Sequence, residues 1–225
     1  MVQQNVKRVM LEALKAIPQG SKFVLGTSGG PDSQCLLHAF PRLVGPSNCL
    51  AVGVNHGLRA EAGSELDLAE QLAGQVGVEW RRIELKVRAG GNLLSRARDA
   101  RYEALRRVAV EHFPGQKTFI VVAHHADDRA ETVLIRLMRS TSVGCLAVMP
   151  PLAGDIFRPM LEMDRSGVSA HLNRFRVKYA EDPSNTNEKY LRAWVRATLL
   201  PTIKTKCPNV VKRLNKISDD LLEHS

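Results

Sequence analysis

The chain has 225 residues, of which 44% are hydrophobic and 24% charged, as expected for a globular protein with a full core. No apolar run approaches the roughly 20 residues that span a bilayer, and the N-terminus lacks the apolar stretch of a signal peptide, so we expect a cytoplasmic protein without a membrane partner. The net charge is +9, and residues 165–225 hold 12 Lys and Arg against 6 Asp and Glu. This asymmetry suggests a polyanion partner, with nucleic acid first in line, although composition alone is equally compatible with a generic basic surface.

Apolar strand-like runs alternate with helical patterns through the first 140 residues. Strands are predicted over 23–27, 50–54, 78–85 and 119–123, and helices over 5–17, 32–43, 61–76, 92–107 and 127–139. Strands that are apolar throughout are typical of a parallel sheet buried on both faces. We therefore predict an α/β fold, a doubly wound parallel sheet with helices on both faces.

The pattern loosens after residues 149–151, where Met-Pro-Pro interrupts it. Helices are predicted near 164–177, from about 190 to near Pro201, and over 208–222. We expect a single domain over residues 1–225, with a nucleotide-binding core over about 20–150. A helical extension over about 151–225 is expected to pack on this core, without further C-terminal domains.

The four cysteines are scattered through the sequence and form no CxxC pair. Neither a zinc ribbon nor a dithiol redox site is therefore supported. Cys35 and Cys49 lie in apolar stretches, and we expect them to be buried as small hydrophobic residues.

The segment 23–33, Phe-Val-Leu-Gly-Thr-Ser-Gly-Gly-Pro-Asp-Ser, is the most informative stretch of the sequence. An apolar strand runs into a Ser-Gly-Gly turn, and a helix begins directly after it. Adjacent glycines and a helix N-terminus together favour a bound phosphate. The loop lacks the Lys-Ser/Thr of a Walker A motif and carries Asp32 instead, which is reasonable if Mg²⁺ lies between the carboxylate and the phosphates. The alternative interpretation is a tight turn capped by Ser28 or Asp32.

A second polar cluster, residues 123–132, follows the predicted strand 119–123. Asp128 and Glu131 are three residues apart and share a helix face, where paired carboxylates could hold Mg²⁺ or an ammonium group. His124 and His125 could contact phosphate or accept a proton. A zinc site and a simple N-capped helix are the alternatives.

Two weaker signals complete the predicted crevice. Val54 ends the strand 50–54 and His56 comes shortly after it, where backbone groups could hydrogen-bond an adenine ring, although His56 could equally be an ordinary loop histidine. Arg98 and Arg101 form a basic helix ridge that could reach phosphates or be a solvated face. Because ligands of parallel sheets bind beyond the carboxyl ends of the strands, we expect 28–33, 55–59 and 124–131 to converge.

Together these motifs resemble the tRNA(Ile)-lysidine synthases of the PP-loop ATP pyrophosphatase superfamily. The matching segments are 28–33 (SGGPDS), 56–59 (HGLR), 91–92 with 97–102, 123–132 (AHHADDRAET), 158–161 (RPML), 181–185 (EDPSN), and Arg192 with Arg196 and 200–201. The first of these alone indicates only a PP-loop enzyme, whereas the combination is highly specific and covers about residues 20–203.

The resemblance implies a two-step reaction. ATP adenylates the wobble cytidine of an isoleucine tRNA with a CAU anticodon, and L-lysine then displaces AMP to form lysidine. It implies a phosphate loop of Ser28, Gly29, Gly30, Pro31, Asp32 and Ser33, with Asp32 as the Mg²⁺ ligand. Asp128 and Glu131 would steer the lysine amine. Arg101 and His125 are candidate contacts to phosphate or cytidine, and Val54, His56 and Arg98 candidate nucleotide contacts.

The sequence also departs from the family pattern. Residues 140–148 are poor in glycine where the family has a glycine-rich turn, and Asn55, Arg129 and Ala193 replace the usual Asp, Gln and Asn. Longer family members carry further tRNA-gripping domains, which leaves tRNA discrimination to this basic domain, to a homodimer partner or to a part outside this chain. The alternatives are another PP-loop tRNA-modifying enzyme and a non-catalytic module that binds tRNA or nucleotide.

Overall fold

Six strands form one sheet in the computed structural model, which describes residues 5–55, 62–85, 93–181 and 190–224. The strands are β1 (Lys22–Thr27), β2 (Cys49–Asn55), β3 (Glu79–Glu84), β4 (Thr118–Val121), β5 (Leu152–Ala153) and β6 (Ile156–Phe157). Their order is β3-β2-β1-β4-β6-β5. All neighbours pair in parallel except β5 and β6 at one edge, which confirms the predicted parallel sheet.

Helices cover both faces of this sheet. The bounds are α1 (Val6–Leu14), α2 (Pro31–Ala39), α3 (Pro41–Val44), α4 (Ala62–Val76), α5 (Leu93–His112), α6 (Ala126–Arg139), α7 (Arg165–Phe175), α8 (Leu191–Trp194), α9 (Leu200–Lys206) and α10 (Val210–Glu223). Side chains of α1, α2, α4 and α7 pack on one face. Side chains of α5 pack on the other, against Val24, Leu50 and Ile120 of the central strands. The doubly wound arrangement is therefore confirmed. Among the described helices, none is both long and apolar enough to cross a membrane.

The helical prediction needs two corrections. Helix α5 continues to His112, beyond the predicted end at 107, because Val108 and Ala109 still pack on the sheet. The helix predicted to stop near Pro201 runs from Leu191 to Lys206 through a π-helical turn, Val195–Leu199. Pro201 lies directly after the π-helical turn, where the hydrogen-bond pattern of the helix changes and can accommodate a residue without an N–H.

The β5–β6 hairpin is an element that the sequence pattern did not predict. Each strand has only two residues, too few to show an alternation of polar and apolar side chains. β6 nevertheless joins the sheet beside β4, where Ile120 N donates to Asp155 O at 2.8 Å and Val122 N donates to Phe157 O at 3.0 Å. The sheet thus extends beyond residue 150.

The C-terminal helices are packed against α6. Apolar side chains of α6, of the 143–148 turn, of α9 and of α10 form a third cluster, with Ala130, Val133, Leu146, Val148 and Leu214 among its members. This packing joins α6 to the basic C-terminal region. Cys35 and Cys49 are buried, as expected, and all four cysteines are free thiols.

Candidate active site

A cleft of about 490 Å³ lies over the carboxyl ends of β1, β2 and β4. This is where the chain order reverses from one side of β1 to the other, the usual ligand position in an open α/β sheet. Its lining combines side chains of both predicted clusters, Ser28, Asp32, Ser33, His124 and Asp128, with four arginines from other segments, Arg98, Arg101, Arg192 and Arg196. The predicted convergence of 28–33 with 124–131 is therefore found, and Asn55 and Val54 also line the cleft.

The β1–α2 loop is shaped by Gly29. Its φ of +79° is in the left-handed region, and a Cβ there would lie 2.0 Å from the carbonyl oxygen of Glu65 in α4. Only glycine fits this turn. Ser33 Oγ donates to Gly30 O at 2.9 Å and accepts from Ser28 N at 3.2 Å, so hydrogen bonds within the loop support its shape. Gly30 caps α2 without a side-chain hydrogen bond, which keeps the helix N-terminus available to an anion.

The β4–α6 junction places His125 between two carboxylates. Its Nε2 lies 3.5 Å from Asp32 Oδ1 and 3.6 Å from Asp128 Oδ2. Asp128 also accepts from the backbone N–H of His125 at 3.1 Å, which caps α6 and fixes the carboxylate at the helix start. The ring nitrogens of the fully buried His125 have no hydrogen-bond partner among the described residues. The two clusters are thus joined through this imidazole.

These contacts set the ionisation of the acidic groups. Burial raises the pKa of Asp32, and the nearby Asp128 acts in the same direction. For Asp128, burial acts to raise the pKa, but the neighbouring charges, with His125 and Arg196 foremost, outweigh it and hold the pKa below its ordinary value. Burial lowers the pKa of His124 to about 3, so its imidazole is neutral at neutral pH. The cleft therefore offers a neutral histidine beside ionised Asp128.

Asp128 and Glu131 are both bound by arginines that arrive from α8 and the π-helical turn. Arg196 donates to Asp128 Oδ1 at 2.7 Å and to Glu131 Oε1 at 2.8 Å. Arg192 donates to Glu131 Oε2 at 3.2 Å, and Arg165 at the start of α7 donates to Glu131 Oε1 at 3.4 Å. Glu131 is almost fully buried beneath these groups, whereas Asp128 lines the cleft.

Asp127 plays a structural part at the same helix start. It pairs with Lys204 of α9 and accepts from the backbone N–H of Arg165 at 2.9 Å. Burial acts to raise its pKa, but these two partners outweigh burial and lower the pKa. Three segments that are distant in sequence are thereby joined at the base of α6.

The arginines of α5 form the opposite wall of the cleft. Arg98 and Arg101 both line it, with their guanidinium groups 5.2 and 5.3 Å from the ring centre of Tyr102. Arg101 Nε is buried without a hydrogen-bond partner among the described residues. A buried donor of this kind favours an acidic ligand.

The predicted site residues are distributed as follows. Within the loop, Ser28, Asp32 and Ser33 face the cleft, while Gly29, Gly30 and Pro31 form the turn and helix start that support them. His125 lies beneath Asp32 and Asp128, and His124 takes the position on the cleft wall. His56, the 57–59 segment, Gly91, Asn92 and residues 182–185 lie outside the described residues.

Sequence reasoning missed several contributors to the cleft. Glu65 and Leu66 of α4 line it, although the helix that carries them gave no functional signal. Arg192 and Arg196 were noted only as part of the resemblance, and their pairing with α6 spans more than 60 residues of sequence. Contacts over that separation are not visible in local patterns.

A group of three residues has the geometry of a metal site. Asp32, His125 and Asp128 present ligand atoms that all lie within 4.8 Å of one another. Two carboxylates beside a phosphate-binding loop match the preference of Mg²⁺ for oxygen ligands and for shared coordination by substrate phosphates. The residues present thus fit the metal.

The chain is similar in sequence to tRNA(Ile)-lysidine synthases of several bacteria. The chain is 36% identical over 217 residues to the tRNA(Ile)-lysidine synthase of Bacillus subtilis, covering 91% of this chain and 45% of the relative. It is 34% identical over 216 residues to that of Burkholderia mallei and 34% over 203 residues to that of Thermobifida fusca; these alignments cover 91% and 88% of this chain and 44% and 61% of the relatives. The chain thus spans roughly half the length of these relatives.

Solved structures that share the fold include two other enzymes. The U34-tRNA thiolase NcsA from Methanococcus maripaludis superposes with a TM-score of 0.79 at 21% identity, covering 98% of this chain and 79% of that one. The NH3-dependent NAD synthetase from Campylobacter jejuni gives a TM-score of 0.53 at 16% identity, with 97% and 95% covered. At such identities the likeness concerns the fold alone.

The profile of the ATP_bind_3 family, described as a PP-loop domain, matches residues 2–203. This range contains the glycine turn at 28–30, the cleft and all three arginines that surround Glu131. With the fold, the phosphate loop and the family profile in agreement, the chain belongs to the PP-loop domain family.

Proposed function

We propose that this chain catalyses the ATP-dependent formation of lysidine on an isoleucine tRNA with a CAU anticodon. The observation that carries the proposal is the meeting of the phosphate loop with Asp128 in one cleft, through His125. A phosphate cradle suits ATP, and a carboxylate pair beside it suits the ammonium group of lysine. The resemblance of the motifs and the relatives' names support the same activity.

In the first step, the C2 oxygen of the cytidine attacks the α-phosphorus of ATP. A P–O bond forms, the bond to the β-phosphate breaks, and pyrophosphate leaves. Backbone N–H groups at the start of α2 and the arginines of the cleft would stabilise the negative charge on the leaving group. Asp32, with Asp128 across His125, would hold Mg²⁺, which when bound neutralises charge on the phosphate oxygens.

In the second step, the ε-amine of lysine attacks C2 of the adenylated cytidine. The C–N bond forms, the C2–O bond breaks, and AMP leaves with the former cytidine oxygen. The amine must lose a proton before attack and another afterwards. Asp128 on the cleft wall is the candidate acceptor, and Glu131 would orient the ammonium from beneath.

The tRNA would approach from the basic side of the cleft. Arg98 and Arg101 on α5 are placed to contact phosphate or cytidine, and the excess of Lys and Arg after residue 164 suits an RNA backbone. We also propose that the chain acts as one catalytic domain, in which the helices from α7 to α10 brace the site. Two relationships support this: Lys204 pairs with Asp127, and Arg196 binds Glu131.

Two other functions would use the same cleft. A PP-loop enzyme that activates another tRNA base would cleave ATP but use a different nucleophile. A non-catalytic module would bind nucleotide or tRNA without reaction, but Asp32, Asp128 and Glu131 argue against it, because a polyanion binder has no use for three carboxylates at its site.

One assay separates the three functions. The chain is incubated with Mg-ATP, labelled lysine and isoleucine tRNA bearing a CAU anticodon, and both pyrophosphate release and labelled tRNA are measured. Label in the tRNA supports lysidine formation. Release of pyrophosphate without label supports the other enzyme, and tight tRNA binding with neither product supports the module. An isoleucine tRNA with a GAU anticodon is the matched control and should remain unlabelled.

A further inference from the structure

The carboxylates that would receive lysine are covered by arginines. Arg196 contacts both members of the pair, with Nη2 2.7 Å from Asp128 Oδ1 and 3.0 Å from Glu131 Oε2. Arg192 Nε lies 3.2 Å from Glu131 Oε2, and its Nη2 is 3.7 Å from Asp128 Oδ1. These guanidinium groups therefore take the oxygen atoms that an ammonium group would need.

The same two arginines also face the nucleotide side of the cleft. Arg192 and Arg196 line it together with Ser28 and Ser33 of the phosphate loop. The Arg192 side chain is 44% exposed and that of Arg196 is 22% exposed, whereas Glu131 is only 1% exposed. The guanidinium groups are thus the accessible half of the cluster, and a ligand in the cleft reaches them before it reaches Glu131.

The charges of the cluster are balanced before any ligand enters. Asp32, Asp128 and Glu131 supply three negative charges, and Arg165, Arg192 and Arg196 supply three positive ones. A lysine ammonium entering alone consequently meets no net negative charge. The phosphates of a nucleotide change this balance, because they bring several negative charges and bind guanidinium groups bidentately.

We propose that nucleotide phosphates draw Arg192 and Arg196 away from Asp128 and Glu131, and so open this carboxylate pair to the lysine ammonium. Lysine then binds after the nucleotide, so that the amine enters a site that already holds the phosphates. This inference rests on the proposed function and adds an order of binding to it. Because such coupling is reciprocal, lysine raises the affinity for nucleotide by the same factor.

The test measures lysine affinity by calorimetry with and without the α,β-methylene analogue of ATP, which resists cleavage to pyrophosphate. Mg²⁺ is present in both experiments, and norleucine, which lacks the ε-amine, serves as the control ligand. We expect the saturating analogue to lower the lysine Kd at least tenfold and to leave norleucine without measurable binding. An unchanged lysine Kd would overturn the proposal, and so would the absence of lysine binding under both conditions.

A variant examines the same point from the protein side. In Arg192→Gln/Arg196→Gln, lysine should bind without the analogue, and the analogue should change its Kd less than threefold. Arg107→Gln, an exposed arginine of α5, is the matched control and should keep the wild-type dependence. A double variant that folds and still needs the analogue contradicts the proposal. If the double variant does not fold, the wild-type comparison decides the question alone.

The outcome is independent of the test of the proposed function. If the protein forms lysidine but the analogue does not change the lysine Kd, the proposed function stands and the proposed order of binding is wrong. If lysine binding depends on the nucleotide but no lysidine forms, the proposed order of binding is supported and the proposed reaction is contradicted.

Discussion

Arg129 Nη2 donates to Asp219 Oδ1 at 2.5 Å and ties α6, which bears Asp128 and Glu131, to α10 near the end of the chain. Arg129 is fully buried, and its Nε also donates to Val148 O at 3.1 Å. Arg129, which stands where Gln is usual, therefore contacts Val148 in the glycine-poor 140–148 turn. Both features are departures from the family pattern noted in the sequence. Ser218 completes the junction, since its hydroxyl accepts from Val148 N at 2.9 Å.

The Arg129–Asp219 pair should stabilise the fold substantially. Asp219→Asn removes the nearer counter-charge of a buried guanidinium and leaves Glu162 Oε1, 4.0 Å from Nη1, as the remaining one. We expect a loss of about 2 kcal/mol of unfolding free energy, less than for a fully buried pair because Asp219 is partly exposed. Urea unfolding measures this. Asp220→Asn, which removes an exposed pair with Lys216, is the control and should change stability by less than about 0.5 kcal/mol. Equal effects of the two substitutions would contradict the role of Arg129.

Gly29 and Gly30 should respond differently to alanine. Gly29→Ala forces a side chain into a left-handed turn and against the Glu65 carbonyl, so we expect a loss of about 3 kcal/mol. Gly30→Ala, whose Cβ would meet only Ser28 Oγ at 3.6 Å, should stay within about 0.5 kcal/mol of wild type. The readout is the unfolding free energy without nucleotide. Similar stabilities for the two variants would show that the turn is not fixed by glycine.

The His38–His171 pair predicts an acid-sensitive contact between α2 and α7. His38 Nδ1 and His171 Nε2 are 2.9 Å apart. Burial, together with Arg42 and His171, lowers the pKa of His38 to about 4; burial, with Arg42 and Arg174, also lowers that of His171. The unfolded chain, with histidine pKa near 6.5, therefore binds protons first, and stability falls as the pH drops from about 6.5 towards 4.

Removal of both histidines should weaken this pH dependence. We expect His38→Gln/His171→Gln to lose less unfolding free energy than wild type between about pH 7 and about pH 4.5, measured by urea unfolding at each pH. His224→Gln, at an exposed position near the chain end, should follow the wild-type curve. If the unfolding free energy of the double variant falls with pH as steeply as that of wild type, other groups cause the acid sensitivity.

Asp32 should be essential for ATP cleavage. Asp32→Ala removes the carboxylate that faces both His125 and the phosphate loop, and we expect pyrophosphate release to fall at least about 100-fold. Asp67→Ala on the exposed side of α4 is the control and should keep the wild-type rate. Normal pyrophosphate release by Asp32→Ala would remove this residue from the site.

The sheet and half of the cleft could be predicted from local patterns. β1, β2 and β4 are apolar because both faces are covered, and the Ser28–Ser33 loop needs glycine for a turn that α4 approaches closely. The apolar runs and the Ser-Gly-Gly turn are visible in the local sequence, although the helices that require them lie elsewhere in the chain. The strand positions and the convergence of two polar segments followed from them.

The rest of the site depends on contacts between distant segments. The partners of Glu131 come from α7, α8 and the π-helical turn, and no periodicity links them to α6. The β5–β6 hairpin was invisible because it takes its stability from β4 rather than from its own residues. The sequence therefore predicted a carboxylate pair but not that arginines cover it.

The most direct test of the account is the product balance of a single reaction with Mg-ATP, labelled lysine and isoleucine tRNA with a CAU anticodon. We predict that AMP, pyrophosphate and tRNA-bound lysine form in equal amounts, and that omission of lysine abolishes the stable tRNA product. Formation of ADP and phosphate, or pyrophosphate release without lysine on the tRNA, would contradict it.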